Sequence, residues 1–319
     1  MRLLLPDHLN VHRHLATEAI CLQEAEEPIL MLWFSSESIV CGKHQNLAAE
    51  VDYAFCRTKG IALARRISGG GTVYHDPGNL NFSFIQPLPE GLEKAIDYKR
   101  YLEPMRAALR ALGIETTYSY KDDLLLNGLK ISGNAQHIDQ RRKWALHHGT
   151  LLYNADLGHL SAALKTKGQY QGKAIASRPS PVVNIQEALQ TPWTAEEFRD
   201  QLAAEFQQQF SYRISTLSAE EEEKIDALQR EKIGSEAWIL GYSPSYTHQR
   251  TLHINEQSIE LLLNVERGFI RDFRLTAGDR EPWKAQTQLC LGKALSEALF
   301  CEQFAFTDWN KHQAYLQFI

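Results

Sequence analysis

Residues 65–76 read RRISGGGTVYHD, a glycine triplet between two arginines and a histidine–aspartate pair. Successive glycines allow positive φ, and N–H groups turned inward along such a backbone form a concave site for a phosphate or a carboxylate. Arg65 and Arg66 stand directly before this loop, and a guanidinium group holds these anions with two parallel hydrogen bonds. The apolar run at 61–64 and the pair Val73-Tyr74 are typical of strands. The pattern predicts strand, glycine loop and strand, whereas G-x-G-x-x-G and G-x-x-x-x-G-K-[ST] continue into a helix.

The residues that flank the triplet favour a binding loop. Three glycines alone are equally compatible with a simple hairpin connection, but Arg-Arg before and His-Asp after are not typical of turns. The whole string resembles the signature of the lipoate–protein ligases, which form one superfamily with biotin ligases and octanoyltransferases. DLLLNGLKISGNA at 123–135 and HHGTLL at 147–152 resemble the second and third signatures of this family, and GKHQN at 42–46 resembles its G-[RK]-x-Q-N turn. The resemblance covers residues 9–185 well and the tail more loosely.

Composition is that of an ordinary globular protein. The chain has 319 residues, 44% of them hydrophobic and 23% charged, which allows one large domain or two. A net charge of −5 argues against a general nucleic-acid binder. No apolar run approaches the roughly 20 residues of a membrane helix, and the triplet Leu3-Leu4-Leu5 is too short for a signal peptide. We therefore expect a cytoplasmic protein with neither nucleic-acid nor membrane partners.

The cysteines indicate free thiols. They are few, odd in number and without C-x-x-C spacing, which fits a reducing compartment better than a disulfide framework or a zinc site. Their positions are Cys21, Cys41, Cys56, Cys290 and Cys301.

Hydrophobic periodicity predicts an alternation of helices and strands over the first two thirds of the chain. Asn127-Gly128 predicts a hairpin turn before Lys130, and capping boxes predict helix starts at Thr194 and Ser218. The acidic run at 220–223 is then a solvated first turn. The predicted helices span 9–24, 52–60 and 96–112, with a further helix ending at 160–164, and the predicted strands span 29–34, 38–42, 61–64 and 79–85.

The tail predicts a small α+β unit behind a turn-rich break at 241–245. Strands at 252–254, 258–265 and 269–275, with a turn at Gly268, predict an antiparallel meander, followed by a helix at 289–299. The resemblance implies an α+β fold with mixed or antiparallel sheets flanked by helices. It also implies a biotin/lipoate ligase-like catalytic domain at 1–242 and a C-terminal α+β accessory domain at 247–319.

A long loop is predicted between the third signature and the tail. Residues 165–183 hold three lysines, an arginine, two glycines and two prolines. A loop of this length without secondary structure is usually functional or disordered. We expect it to order over a bound adenylate.

The glycine loop, the two arginines before it and Lys130 in the hairpin suit a site for two anionic groups, such as a carboxylate that meets the α-phosphate of ATP. A cation about 4 Å away offsets about 4 kcal/mol of repulsion at an effective dielectric of 20, which corresponds to about a thousandfold in rate. Lys130, a compact charge on a flexible stem, can follow the carboxylate through this reaction. A lone lysine beside a turn is usually a solvated charge, and only the matching string around Lys130 overturns that interpretation.

The resemblance implies roles position by position. It implies that Lys130 is catalytic and contacts both the nucleotide and the lipoyl carboxylate. Gly70, His75 and His148 would bind lipoate, although the two histidines are at least as compatible with structural burial. Asp123 would hold Mg²⁺, although an aspartate at a strand start is more often a cap. The implied ATP-binding residues are Arg66, Gly71, Thr72, Val73, Tyr74 and Lys130.

The implied function is that of a lipoate–protein ligase, which uses ATP and Mg²⁺ to form lipoyl-AMP and then lipoylates a lysine of an acceptor protein. The implied acceptors are the lipoyl domains of 2-oxo acid dehydrogenase E2 subunits and the glycine cleavage H protein. Thr72 and Tyr74 stand where many family members have alanine and phenylalanine, which leaves room for an octanoyl- or lipoyl-transferase without ATP activation. A non-catalytic lipoate-binding or scaffold protein is a further alternative, against which the retained Arg66 and Lys130 argue.

Overall fold

The computed structural model describes residues 1–89, 97–120, 123–164, 169–177, 180–189, 192–254, 257–281 and 284–292. Within these ranges, the helices in chain order are α1 Val11–Glu24, α2 Tyr53–Lys59, α3 Tyr98–Ala111, α4 Leu157–Ala163, α5 Ala195–Phe210, α6 Ala219–Leu228, α7 Glu236–Ile239 and α8 Lys284–Leu289. Short 3₁₀ turns lie at Leu47–Ala49 and Ile185–Ala188, and a π turn at Gln229–Ile233 follows α6.

The strands in chain order are β1 Arg2–Leu4, β2 Ile29–Trp33, β3 Ser38–Cys41, β4 Ala62–Arg65, β5 Val73–His75, β6 Asn79–Pro87, β7 Thr117–Tyr118, β8 Leu124–Leu126, β9 Leu129–Lys130, β10 Asn134–Asp139, β11 Trp144–Leu152, β12 Gln169–Gly172, β13 Arg213–Ile214, β14 Tyr246–Ile254, β15 Gln257–Glu266 and β16 Phe269–Thr276.

The main sheet is mixed and has the order β10-β11-β6-β2-β1-β13. Side chains alternate along β2, so its two faces enter different cores. Leu30 and Leu32 pack with residues of α3 and α5, whereas Met31 and Trp33 pack with α1. A sheet covered by helices on both faces confirms the predicted α+β fold.

A smaller sheet with the order β4-β3-β5 carries the glycine loop. β3 lies in the middle, parallel to β4 and antiparallel to β5. The loop at 66–72 therefore connects the two outer strands past the end of β3, and it is not a hairpin connection. This arrangement confirms strand, loop and strand, and it explains why the loop is longer than a tight turn.

The tail forms an antiparallel sheet that packs against the small sheet. Its order is β12-β14-β15-β16, so a strand from the loop at 165–183 joins the meander of the tail. Leu261, Leu263 and Phe273 share one apolar cluster with Ile39 and Tyr74. The division into 1–242 and 247–319 stays a prediction.

Most predicted elements are confirmed, with shifted ends. The capping boxes at Thr194 and Ser218 are both formed, and Gly60 ends α2 with a φ of 70°. The last described helix, α8, ends at Leu289, where the predicted 289–299 helix begins, and residues 293–299 of that span lie outside the described residues. Among the described residues, no helix has the length and apolar character needed to cross a membrane.

Candidate active site

A cavity of about 550 Å³ lies between the glycine loop, the Lys130 hairpin and the inner face of α1. It brings together nearly all residues that the sequence singled out for binding and chemistry. An apolar part is lined by Leu15, Trp33, Val40, Phe82 and Leu125. The polar part is lined by Glu18, Arg66, Gly70, Gly71, Thr72, His75, Asp123, Lys130 and His148.

The glycine loop is shaped by close backbone approaches. Gly70 adopts a φ of 87°, a conformation that L side chains rarely take. A side chain at Gly42 would meet the carbonyl oxygen of Gly70, so the turn at 42–46 and the glycine loop touch backbone to backbone. The packing of these two loops places the 70–72 backbone on the cavity wall.

Arg66 is the buried cation of this loop. Its guanidinium group donates to the carbonyl oxygens of Gly69 at 2.5 Å, Gly71 at 2.7 Å and Val40 at 3.0 Å. Burial lowers its pKa to about 10, so it remains charged at neutral pH. No carboxylate of the described residues forms an ion pair with it, and an uncompensated buried charge favours an anionic ligand.

Arg65 has a different task, which the sequence did not distinguish from that of Arg66. It is fully buried and does not line the cavity. Its guanidinium donates to the carbonyl oxygens of Gly42 and Gln45, of Ile239 in α7, and to the hydroxyl of Ser243. Arg65 therefore ties the start of the tail to the turn at 42–46, and the expectation that both arginines face an anion is wrong.

Lys130 lies across the cavity at the end of the predicted hairpin. Asn127 and Gly128 take positive φ at its turn. The Nζ atom of Lys130 lies 3.1 Å from Oδ1 of Asp123, and both side chains keep about a fifth of their surface exposed. Its backbone exchanges hydrogen bonds with Pro181 and Val183. The end of the long loop, at 181–183, is thus fixed to the hairpin that carries the lysine.

His148 joins α1 to the glycine loop through buried hydrogen bonds. Its Nδ1 lies 2.9 Å from both carboxylate oxygens of Glu18, and its Nε2 lies 2.6 Å from the hydroxyl of Ser68. The Ser68 hydroxyl in turn accepts from Nε of Arg66 at 3.0 Å. The hydroxyl of Ser83 donates to the same carboxylate of Glu18. This hydrogen-bond network ties the glycine loop to α1 and to the main sheet.

Alternation along β5 separates the remaining predicted residues. Val73 and His75 point into the cavity, whereas Tyr74 points to the opposite side, where its hydroxyl donates to Glu37. Burial lowers the pKa of His75 to about 3, so its ring is neutral and stacks edge-on against Trp33. The structure therefore places His75 at the cavity but gives the Tyr74 side chain no contact with it.

Several cavity residues were not predicted. Glu18, Trp33 and Phe82 lie on a helix and strands whose periodicity indicates only burial, so no local signal distinguishes them from other core residues. The long loop also contributes, because Ile175, Ala176 and Ser177 line the cavity rim. The side-chain amide nitrogen of Gln45 donates to the hydroxyl of Ser177 at this rim.

The donor set at Asp123 fits one mode of magnesium binding. Among the described residues, no group of three or more histidine, cysteine, aspartate or glutamate side chains is placed to hold a metal ion. Mg²⁺ is commonly held by one or two carboxylates together with substrate phosphates. Asp123 fits as a single protein ligand beside phosphate oxygens.

A sequence model of the lipoyl protein ligase A/B catalytic domain matches residues 10–207. The chain is 35% identical over 268 residues to lipoate-protein ligase LplJ of Bacillus subtilis, covering 82% of this chain and 80% of that protein. It is 33% identical over 265 residues to lipoate–protein ligase 1 of Staphylococcus aureus, with 82% of this chain and 80% of that protein covered. It is also 34% identical over 281 residues to the mitochondrial lipoyl amidotransferase LIPT1 of Mus musculus, with 84% and 71% covered.

Solved structures show the same fold. A lipoate-protein ligase A bound with ATP superposes with a TM-score of 0.63 at 28% identity, covering 76% of this chain and 98% of that chain. The Thermoplasma acidophilum bi-partite lipoate protein ligase, described together with its E2 lipoyl domain, gives a TM-score of 0.62 at 27% identity and covers 76% and 96%.

Proposed function

This chain belongs to the lipoyl protein ligase A/B family, and we propose that it is a lipoate–protein ligase that uses ATP. In the proposed reaction, lipoate and ATP form lipoyl-AMP and pyrophosphate, and the lipoyl group then passes to a lysine of an acceptor protein. The relatives named as ligases and the ATP-bound structural neighbour support this proposal.

The observation that carries the proposal is the pair of cations at one cavity. Arg66 stands on the glycine loop without a carboxylate partner among the described residues, and Lys130 stands on the opposite hairpin. A carboxylate that attacks a phosphate must overcome like-charge repulsion, and cations on both sides offset it in a partly desolvated site. A neutral acyl donor needs no such arrangement.

In the first step, a carboxylate oxygen of lipoate forms a bond with the α-phosphorus of ATP. The bond from that phosphorus to the bridging oxygen of pyrophosphate breaks, and the leaving group takes its electron pair. Lys130 neutralises the carboxylate as it approaches, and the Arg66 guanidinium with the 70–72 backbone receives phosphate oxygens. The wall formed by Leu15, Trp33 and Phe82 accommodates the acyl chain.

In the second step, the neutral amine of an acceptor lysine attacks the acyl carbon of lipoyl-AMP. The acyl–oxygen bond breaks, AMP leaves with its electron pair, and the amine releases one proton. The free amine has a pKa of about 10.4, so about one part in a thousand is neutral near pH 7.4. The role of the site in this step is to exclude water from lipoyl-AMP and to keep its acyl carbon oriented toward the amine.

Mg²⁺ would be held by Asp123 and the phosphates of ATP, where it would neutralise phosphate charge. We propose E2 lipoyl domains and the glycine cleavage H protein as acceptors, and the cytoplasm as the location. The solved structure that describes a ligase together with an E2 lipoyl domain supports the first of these acceptors. We also keep 1–242 as the proposed catalytic domain and 247–319 as the proposed accessory domain.

The second candidate is an acyltransferase without ATP activation, which the similarity to the LIPT1 amidotransferase favours. A cysteine-dependent transferase would need a thiol at the cavity. The described cysteines, Cys21, Cys41, Cys56 and Cys290, are all buried and none lines the cavity. Burial raises the pKa of the Cys41 thiol, which opposes a reactive thiolate there.

The deciding experiment mixes the protein with ATP, Mg²⁺ and lipoate, and measures lipoyl-AMP by mass spectrometry. We expect lipoyl-AMP in the complete mixture and none when ATP is omitted. After addition of an unmodified lipoyl domain, its mass should rise by one lipoyl group. If lipoyl-AMP is absent but the domain is lipoylated from a lipoylated donor protein without ATP, the transferase is the correct function.

A further inference from the structure

A second cleft, of about 420 Å³, lies beside the glycine loop and outside the active-site cavity. The cleft and the cavity share no lining residue, although the glycine loop contributes to both of them. Ile67 lines the cleft, whereas Gly70 and Gly71 line the cavity. The other walls of the cleft come from α1, the turn at 42–46, β10, the end of α6 with the π turn that follows it, and α7 with the residues after it. The proposed ligase reaction makes no use of this cleft.

Much of the cleft wall is aliphatic. Leu22 of α1, Ile67 of the glycine loop and Ile233 of the π turn all line it. Trp238 closes one side with a fixed ring, because it is buried and its Nε1 donates to the carbonyl oxygen of Arg65 at 2.8 Å. Such a wall favours a ligand with a hydrocarbon body, since removing apolar surface from water is favourable.

Two lysine ammonium groups lie at the same cleft, each over an aromatic ring. The Nζ atom of Lys232 lies 4.6 Å from the ring centre of Trp238, and that of Lys43 lies 5.9 Å from the ring centre of Tyr242. The two ring centres are 4.6 Å apart, so the rings join the two cations in one row. Within the part of the chain that the structure describes, neither lysine forms an ion pair. Both charges are therefore available to an anionic ligand.

The other titratable groups of the cleft do not cancel this positive charge. Among the described lining residues, Asp139 has the only carboxylate, and it accepts from the N–H groups of Arg141 at 2.9 Å and Arg142 at 3.1 Å. Burial and the nearby charge of Lys43 lower the pKa of His137, so its ring is neutral at neutral pH and carries one N–H donor. The cleft thus has two cations against one carboxylate that is engaged by its own turn.

We propose that this cleft is a binding site for a small carboxylate with an aliphatic body, such as a medium-chain fatty acid. The carboxylate binds at the ammonium groups of Lys43 and Lys232. The chain lies against Leu22, Ile67 and Ile233. A nucleotide fits this cleft less well, because a lysine lies over each of its two aromatic rings, where a base would stack. The site does not depend on the proposed ligase function, since it shares no lining residue with the cavity.

The first test irradiates the full chain with decanoate that carries a diazirine on its chain, at a concentration well below saturation, and maps the labelled chymotryptic peptides by mass spectrometry. We expect label at 19–23, 67 and 228–242. A double variant with Lys43→Met and Lys232→Met should lower this label about tenfold, the effect of about one hydrogen bond to a charged group. The double arginine variant, which keeps both charges, and the control Lys59→Met should stay within about twofold of the parent. Label that is unchanged by loss of both charges, or that is confined to peptides of the active-site cavity, would overturn the site.

The second test replaces the acid by decanol with the same diazirine, which keeps the hydrocarbon body and has no charge. In the parent, the alcohol should label the cleft about tenfold less than the acid, and in the double methionine variant the two probes should label it alike. Urea denaturation checks that the variants keep the stability of the parent. Equal labelling of the parent cleft by acid and alcohol would show that the cleft accepts any apolar molecule, and would overturn the proposed carboxylate site.

Discussion

The Nζ atom of Lys130 lies 3.1 Å from Oδ1 of Asp123 at the polar end of the cavity. The pair is partly exposed, so its own contribution to stability is small. In the proposed reaction its importance is geometric, because it holds a flexible ammonium group where the carboxylate and the phosphate would meet. An ammonium group has three donors, so in the proposed reaction Lys130 can bond an anionic ligand while it stays paired with Asp123.

We predict that Lys130→Ala abolishes adenylation without unfolding the chain. Loss of a cation about 4 Å from the developing charge should slow lipoyl-AMP formation by about a thousandfold. Pyrophosphate release and the urea midpoint are measured together, and the control Lys59→Ala removes an exposed lysine at the end of α2. A folded K130A protein with near-normal pyrophosphate release would exclude the role given to Lys130.

Asp123→Asn separates a metal ligand from a lysine-positioning residue. If Asp123 binds Mg²⁺, the Mg²⁺ concentration for half-maximal adenylation should rise about tenfold, since a neutral amide is a weaker ligand. Transfer from supplied lipoyl-adenylate, which requires no phosphate activation, should then stay within about twofold. Loss of both activities at unchanged Mg²⁺ dependence would instead assign Asp123 to holding Lys130.

The two adjacent arginines should respond differently to substitution by lysine. Arg65→Lys cannot span the carbonyl groups of Gly42, Gln45 and Ile239, so we expect a loss of about 2 to 4 kcal/mol in the free energy of unfolding. Arg66→Lys keeps a charge at the cavity but loses the planar fork, and the KM for ATP should rise at least about tenfold. Urea denaturation and adenylation kinetics of both variants check this contrast. The opposite pattern would mean that the roles of the two arginines are exchanged.

The strand–loop–strand arrangement and the Lys130 hairpin could be predicted because their signals are local: glycine, Asn-Gly and β-branched residues act over a few positions. The different contacts of Arg65 and Arg66 could not be predicted, since the side chains of two adjacent arginines differ only in the side of the strand from which they project. The pairing of β12 with β14 could not be predicted either, because a strand of polar residues shows no alternation of apolar and polar side chains. Tyr74 was assigned to the nucleotide site by its place in a motif, whereas the alternation along β5 turns its side chain away from the cavity.

Buried neutral histidines should make the protein sensitive to acid. Burial lowers the pKa of His147 to about 3, and its ring stacks on Tyr101 at 5.0 Å. In the unfolded chain the pKa is near 6.5, so only the unfolded state takes up a proton between these values. This contribution to stability is complete above about pH 6.5 and falls by about 1.4 kcal/mol per pH unit below it.

His147→Phe should remove this part of the acid sensitivity. Between pH 7.5 and pH 5.0, the free energy of unfolding of the parent should fall by about 2 kcal/mol more than that of H147F. Urea denaturation at the two pH values measures the difference. His12→Phe is the control, since His12 is only half-buried whereas His147 is fully buried. An equal pH dependence of parent and H147F would show that His147 titrates alike in the folded and unfolded states.

The last prediction separates the ligase from a cysteine-dependent transferase. Adenylate chemistry needs no enzyme nucleophile, because AMP is already a good leaving group, whereas a transferase of that type carries the acyl group on a thiolate. The described cysteines are buried, and burial raises the pKa of Cys21 to about 12 and of Cys56 to about 12. Cys301 lies outside the described residues.

Serine at each cysteine in turn should therefore keep lipoylation of an acceptor domain within about tenfold, the range that packing changes around a small buried thiol explain. Cys41→Ser is the sharpest variant, because Cys41 ends β3 beside Arg65 and Arg66. Lipoylation is measured by the mass of the acceptor, and acid-quenched protein is inspected for an added acyl group. An acyl thioester trapped on one cysteine, together with loss of activity in the matching serine variant, would make the transferase the better assignment.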